Sequence, residues 1–247
     1  MEKTTPLRFY PGIFLFPLLW VAVLWVIYWA EIRFGFNLRE FGIYPMRTKG
    51  VIGIFTGPFV HGSLEHLFNN SIPLLVLTAS LFYFYRRTKW MVLILGYLLT
   101  GIITWLIGRP AWHIGVSGVI YMLVAFLFFS GIRSKQYRLT ALSFVVVFLY
   151  GSLLWYVFPI DDKISWEGHL SGFIVGTVFA YVFKGPKIPE KKYDWQRDDY
   201  NPEEDPFLQQ FDEHGNFIEN PKQEEVAVSP RIKITYRFIP KKENEEE

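Results

Sequence analysis

The chain has 247 residues, no cysteine and a formal net charge of +2, with 51% hydrophobic and 19% aromatic residues. The lack of cysteine excludes a disulfide framework and a thiolate metal site, and the small net charge gives no indication of a nucleic-acid partner. The apolar residues form long unbroken runs, which is typical of membrane helices and unusual in a soluble domain of this size.

Six apolar runs predict six membrane spans. The first, residues 13–30, carries no charge and is followed by no small-residue cleavage site, so it is interpreted as a retained span and not as a signal peptide. The fourth is short, which predicts a helix that starts below the membrane surface, beneath a water-filled cavity. Between the first and second runs, residues 33–60 predict a partly structured interfacial loop. The later runs cover about residues 64–85, 90–107, 117–130, 139–158 and 168–183.

Basic residues are distributed unevenly among the loops, and this predicts the orientation. The loop after the second span holds Arg86, Arg87 and Lys89, whereas Arg109 is the one basic residue in the loop after the third. Because basic loops stay in the cytoplasm, we expect both termini there, in a multi-pass protein of a bacterial cell membrane. Residues 1–185 would form the membrane domain.

The segment from residue 186 to residue 247 has a different composition. It is acidic, rich in Asn, Gln and Pro, and without apolar periodicity. This predicts a largely disordered cytoplasmic tail. Within it, the segment RIKITYRF alternates as a β-strand does.

Three spans that are far apart in the sequence begin with polar groups on the predicted outer side. The second begins with His66 and Asn70, the fourth with Ser117 and the sixth with His169. Polar and ionisable groups are costly inside a membrane, so they usually mark a functional site. Their convergence at one depth therefore predicts a site at the outer side of the bundle.

Each of these residues also has a structural interpretation. Ser117 is either a nucleophile beside glycines that admit a substrate backbone or, with Gly115 and Gly118, part of a small-residue packing surface. His169 is either a general base or an interfacial histidine bonded to a backbone carbonyl. Gly172 shares its helix face, so the sixth span can press closely against a neighbour. If that neighbour is the fourth span, the histidine reaches the serine.

His66 and Asn70 are four residues apart and share a helix face. Both can donate hydrogen bonds to a developing oxyanion, or they can bond to each other or to a loop. Asn69 is expected on a different face. His61 is expected to hold the preceding loop in place, and His113 fits either a structural or a functional role.

The segments HGSLEHLFNN, GVSGVIY and GHLSGFIVG occur in this order on the second, fourth and sixth spans. Together they resemble the rhomboid intramembrane serine proteases, over about residues 7–184. The resemblance implies that Ser117 is the nucleophile and His169 the base. It implies an oxyanion hole formed by His66, Asn70 and the backbone N–H of the serine. Residues expected to support the pair are Tyr121, against the ring of the base, and the glycines Gly115, Gly118 and Gly172.

The resemblance implies an all-α membrane protein with a six-transmembrane-helix rhomboid-type bundle. Its function would be to cleave transmembrane protein substrates in the lipid bilayer, with no cofactor or metal. No carboxylate adjoins Ser117 or His169 in the sequence, and the family uses a dyad, so packing and hydrogen bonds would orient the base. The chain departs from many bacterial members in lacking a Trp-Arg pair in residues 33–60. The acidic tail is not part of the family core, and the sequence indicates no particular oligomeric state.

Two other functions fit parts of the pattern. An inactive rhomboid relative would bind membrane proteins without cutting them, but such relatives typically lack the serine or the histidine, and both are present here. A metal transporter could use the four outer-side histidines. Transport would require polar groups that continue across the bilayer, whereas here they are predicted on one side only.

Overall fold

The computed structural model describes residues 7–161, 164–186, 188 and 193–218. Within these residues the secondary structure is helical, and β-structure is limited to isolated bridges. The predicted all-α class is therefore confirmed. The α-helices are α1 (Gly12–Phe34), α2 (Gly53–Thr56), α3 (Leu64–Phe84), α4 (Lys89–Ile107), α5 (Ser117–Arg133), α6 (Tyr137–Tyr150) and α7 (Trp166–Val182).

Four helical segments of the described chain are long and apolar enough to cross a membrane. They are α1, α3, α4 and the segment Tyr137–Val157, in which a 3-10 helix continues α6. Length and composition thus identify fewer spans than the six predicted from the sequence. The reason is that α5 and α7 have only 17 residues each.

The outer surface of the helices is apolar. Trp25 and Trp29 on α1 are exposed, as is Phe144 on α6, and Phe148 is 88% exposed. An exposed apolar area that extends over several helices is costly in water but not in lipid. The surface therefore agrees with a protein embedded in a bilayer.

The core is built around α5, which packs against α3, α4, α6 and α7. Its contact with α7 is a backbone contact through glycines. A Cβ atom at Gly172 would overlap the carbonyl oxygen of Gly118, and one at Gly176 would overlap the carbonyl oxygen of Met122. The neighbour of the sixth predicted span is therefore the fourth, and this contact brings the start of α7 to the start of α5.

The segment between α1 and α3 is ordered by short helices and by bonds to its surroundings. It contains α2 and three 3-10 helices. Ile43 and His113 exchange both backbone hydrogen bonds, at 2.9 and 2.8 Å. The indole N–H of Trp105 donates to the carbonyl of Arg47 at 3.1 Å. This loop is thus attached to α4 and to the segment that precedes α5.

Contacts divide the chain into two compact units, residues 1–189 and 190–247. In the second unit, residues 193–218 form three 3-10 helices and an isolated bridge between Phe211 and Phe217. The sequence predicted no such local order. These turns depend on short-range bonds, such as those from the backbone N–H groups of His214 and Asn216 to Asp212, and not on apolar periodicity. The predicted strand at residues 231–238 lies outside the described residues.

Candidate active site

Ser117 and His169 are 52 residues apart in the chain and meet where α5 and α7 begin. Nε2 of the histidine lies 2.9 Å from the serine Oγ, and Nδ1 lies 2.9 Å from the carbonyl oxygen of Tyr156. A carbonyl can only accept, so the proton of a neutral imidazole is on Nδ1. Nε2 is then free to accept the serine hydroxyl proton.

The imidazole of His169 is held in place from two sides. The ring of Tyr121 stacks on it with 4.1 Å between centroids and an interplanar angle of 7°. The tyrosine hydroxyl donates to the carbonyl of Leu153 at 2.7 Å. Leu153 and Tyr156 both belong to the 3-10 helix Gly151–Val157. One short segment therefore orients the histidine and its stacking partner, and backbone contacts of this kind leave no signature in the sequence.

The backbone before Ser117 approaches the start of α3 closely. Gly115 has φ +98°, a conformation that favours glycine. A Cβ atom there would lie 2.6 Å from the ring of His66 and 3.6 Å from Nδ2 of Asn70. Ser117 is the first residue of α5, where backbone N–H groups have no acceptor within the helix. The ring of His66 and the amide of Asn70, both on α3, therefore lie against the backbone two residues before Ser117.

A second glycine, Gly118, allows α7 and α4 to pack closely against α5 at the residue after the serine. A Cβ atom at this position would lie 3.0 Å from the carbonyl oxygen of Gly168 and 3.0 Å from Cγ2 of Thr100. Either contact is tighter than a normal van der Waals approach. Gly118 therefore serves the packing role that the sequence left open, next to the candidate nucleophile.

Asn70 and Asn69 have different surroundings although they are neighbours. Asn70 is 6% exposed, and within the described chain its Nδ2 has no hydrogen-bond acceptor. Asn69 is exposed, as expected for a different face, although it also borders the cavity described below. A buried amide without a partner costs free energy, and such groups are commonly completed by a ligand.

His61 packs against His66, one of the candidate oxyanion donors. It is 2% exposed, and its ring contacts that of His66 edge-on at 5.1 Å between centroids. Burial, and secondly the nearby His66, lowers the pKa of His61 to about 4. A neutral, enclosed imidazole that packs under another ring agrees with the structural role expected from the sequence.

A cavity of about 1310 Å³ connects the dyad to the C-terminal end of α1. Small-molecule sites are usually about 300–1,000 Å³, so the space is large enough for a segment of polypeptide. Among the described residues, no three His, Cys, Asp or Glu side chains form a group that could hold a metal ion. The residues that border the cavity include Ser117, His169, His66, Asn70, Tyr121, Tyr28 and Glu31.

An ion pair between a buried carboxylate and a half-buried guanidinium lies close to the dyad and was missed from the sequence. Glu167, two residues before His169, binds Arg109 with 3.0 Å between Oε2 and Nη1. The prediction that no carboxylate adjoins the dyad was therefore incomplete. The signal was an acidic residue in the first turn of an apolar helix, together with a lone basic residue in the loop between α4 and α5. His113, whose role the sequence left open, bonds to Ser165 and to the carbonyl of Arg109.

Fold and site together define an integral membrane protein with a serine–histidine pair at the wall of a large cavity. Residues 48–186 match the Rhomboid domain, and the chain belongs to the rhomboid family. It is similar to uncharacterized proteins of Mycobacterium tuberculosis and Mycobacterium bovis, each 35% identical over 184 residues that cover 69% of this chain and 75% of the relative. An uncharacterized protein of Mycobacterium leprae is also 35% identical over 184 residues, with 71% of its length covered.

Proposed function

We propose that the protein is an intramembrane serine endopeptidase that hydrolyses peptide bonds in or near the transmembrane segments of other membrane proteins. The observation that carries the proposal is the 2.9 Å contact between Nε2 of His169 and Oγ of Ser117, in a membrane protein, at the wall of a cavity. Membership of a family that consists generally of intramembrane serine proteases supports it.

The proposed arrangement has six spans, with α5 and α7 added to the four long segments. A 17-residue helix is about 25 Å long, shorter than the hydrocarbon core of about 30 Å. Both short helices begin near the dyad and the cavity. A water-filled cavity would supply the missing depth, which agrees with their length. The distribution of basic residues supports a cytoplasmic location for both termini and for the tail, residues 186–247.

The chemistry follows from the tautomer of His169. As the Ser117 oxygen attacks the scissile carbonyl, Nε2 takes the hydroxyl proton, and the Tyr156 carbonyl continues to accept the Nδ1 proton. Nε2 then gives its proton to the leaving amine, and an acyl-enzyme remains. Water loses a proton to the same nitrogen and attacks the acyl carbon. The bond to the Ser117 oxygen then breaks, Nε2 returns the proton to that oxygen, and the carboxyl product is released.

The charge that develops on the carbonyl oxygen needs donors that are already in place. Within the described chain, Nδ2 of Asn70 is buried and has no acceptor, and the ring of His66 lies beside it at Gly115. The N–H of Ser117, the first residue of α5, has no acceptor within the helix. Donors fixed by the fold stabilise this charge better than solvent water does, because they need not reorient as the charge develops. Because no carboxylate bonds to the imidazole, we expect slower turnover than in a triad enzyme.

The substrate must expose a peptide bond that its own helix would otherwise hide. A transmembrane segment satisfies its backbone hydrogen bonds internally. We therefore expect cleavage near the outer end of the substrate helix, in a stretch with small or helix-breaking residues that unwinds at low cost.

The test is cleavage of a model transmembrane substrate by the purified protein in detergent. Ser117→Ala and His169→Ala should each abolish cleavage and leave folding intact, and the double variant should be no worse than either, since the two residues act as a unit. Full cleavage by Ser117→Ala would disprove the assignment. A wild-type protein that binds the substrate without cutting it would instead favour an inactive rhomboid-like binder.

A further inference from the structure

Glu167 is an acidic residue inside the helix bundle, and the hydrogen bonds of its carboxylate all come from Arg109, in the loop before α5. It is 1% exposed. Oε1 accepts from the backbone N–H and from Nη1 of Arg109, both at 3.1 Å, and Oε2 accepts from Nη1 at 3.0 Å. The same guanidinium donates through Nη2 to the carbonyl of Ile164 at 2.9 Å. Arg109 therefore binds the start of α7 at two points.

A second contact joins the same two segments. Nδ1 of His113 lies 2.5 Å from Oγ of Ser165, and Nε2 lies 3.1 Å from the carbonyl oxygen of Arg109. Burial lowers the pKa of His113, so the neutral ring donates to the carbonyl and accepts the serine hydroxyl. His113 is four residues before Ser117, and Ser165 is four residues before His169. A histidine and a serine are thus hydrogen-bonded four residues before the dyad on both segments, with the two residue types exchanged between the segments.

Glu167 does not act as the third member of a catalytic triad. Both ring nitrogens of His169 have other partners, the Ser117 hydroxyl and the Tyr156 carbonyl. The carboxylate binds Arg109 and not the imidazole, so it can act on His169 through the position of α7 or through its charge, and the experiments below separate the two.

The packing of α5 against α7 is closest at three glycines. At Gly118, Gly172 and Gly176 the two helices meet backbone to backbone. A glycine has no side chain to form a ridge that fits into a groove, so these three positions do not fix the register of the helices along their axes. A carboxylate that binds a guanidinium at two points is geometrically specific. The ion pair therefore supplies a restraint that the glycine surface lacks.

We propose that Glu167, through its ion pair with Arg109, is a positioning residue for the serine–histidine pair. The ion pair fixes the start of α7 to the loop that precedes α5, and so keeps His169 within hydrogen-bonding distance of Ser117. This role rests on the proposed protease function, but the ion pair itself can be tested without catalysis.

The kinetic test compares two ends of one helix pair. Glu167→Gln keeps the shape of the side chain and removes its charge. Arg133→Gln is the matched control, because Arg133 donates to the carbonyl of Ala180 at 3.1 and 2.8 Å and so joins α5 to α7 at the opposite end. Glu167→Gln should lower kcat by about 10- to 100-fold with little change in KM. Arg133→Gln should leave kcat close to that of the wild type, even where the two variants lose similar thermal stability.

A conservative substitution of Arg109, the partner of Glu167, distinguishes the effect of the two-point contact from the effect of positive charge alone. Arg109→Lys keeps the positive charge but cannot form the planar two-point contact or reach Ile164 in the same way. Its kcat should lie between those of the wild type and Arg109→Gln. Equal values for Arg109→Gln and the wild type would overturn the proposal.

Cysteine accessibility measures the position of α7 without any cleavage. The chain has no cysteine, so Thr104→Cys introduces a single thiol. Thr104 is buried in α4, and its Oγ1 lies 3.8 Å from where a Cβ atom of Gly168 would be. Alkylation of this thiol by iodoacetamide in the folded protein should be slow. The rate of alkylation should rise several-fold with Glu167→Gln, because the start of α7 is no longer held against α4, and should stay unchanged with Arg133→Gln.

The combined results distinguish the two proposals. Faster alkylation with a lower kcat supports the positioning role. A wild-type kcat with unchanged alkylation overturns it, and a lower kcat with unchanged alkylation also overturns it, by assigning Glu167 a direct electrostatic effect. If the wild type cleaves no substrate while Glu167→Gln accelerates alkylation, the protease assignment fails and the restraint on α7 is supported.

Discussion

Replacing Gly172 by alanine tests whether backbone contact between α5 and α7 sets the geometry of the dyad. The new Cβ atom would overlap the carbonyl oxygen of Gly118 and lie 3.1 Å from the backbone nitrogen of Met122. Both are backbone atoms, so neither can rotate away. The helices must separate by on the order of 1 Å to restore a normal C···O distance of about 3.3 Å.

The expected magnitude combines two opposing effects on stability with one on catalysis. Alanine gains about 1 kcal/mol over glycine in helix propensity, whereas overpacking a close contact costs about 1–3 kcal/mol. We therefore expect a net loss of stability of up to about 2 kcal/mol. The separation would also lengthen the 2.9 Å contact between Ser117 and His169. A misplacement of about 1 Å can lower turnover by on the order of 10²-fold.

The assay is thermal unfolding and substrate cleavage in the same detergent, with Gly96→Ala as the control. A Cβ atom at Gly96 would also be too close to Met122, at 2.6 Å, but to the terminal methyl group of its side chain. A flexible thioether side chain can move away, so this variant should stay near wild type. Wild-type turnover in Gly172→Ala, with a melting temperature not below that of Gly96→Ala, would refute the reasoning.

Three other perturbations test different parts of the structure. Asn70→Ala should lower turnover by about 10²–10³-fold with little change in substrate binding, because one oxyanion donor is lost; a larger effect of the control Asn69→Ala would show that the other amide is the donor. Burial lowers the pKa of His61 to about 4, so the folded state favours the neutral ring. The stability that this ring contributes is complete above the usual histidine pKa of about 6.5 and is lost as the pH falls towards 4. The loss reaches about 2 kcal/mol at about pH 5. His61→Gln should therefore lose less melting temperature than the wild type between about pH 7 and about pH 5, and equal losses would contradict the assignment of this titration to His61. Deleting residues 195–247 should leave cleavage nearly unchanged, since they belong to the unit that does not hold the site; inactivity of a well-folded truncation would assign the tail a regulatory role.

The class of protein and the candidate dyad follow from the sequence because both depend on local patterns. Long apolar runs predict helices, since a backbone in lipid must satisfy its hydrogen bonds internally. Ser117 and His169 are polar residues at the starts of such runs, and Gly172 lies three residues after the histidine on the same face. Residue type and spacing identified these residues as candidates, and the resemblance of three ordered segments to the rhomboid family supplied their expected roles.

Other features depended on the tertiary structure, because they join residues that no local pattern relates. The proton on Nδ1 of His169 is assigned by the carbonyl of Tyr156, 13 residues away, and a carbonyl is present at every residue. Glu167 and Arg109 are 58 residues apart, and either could have faced water. The sequence alone thus determined which side chains could react. Which nitrogen accepts the proton, and which ion pair holds α7 in place, was decided only when the chain packed and brought those distant atoms within bonding distance.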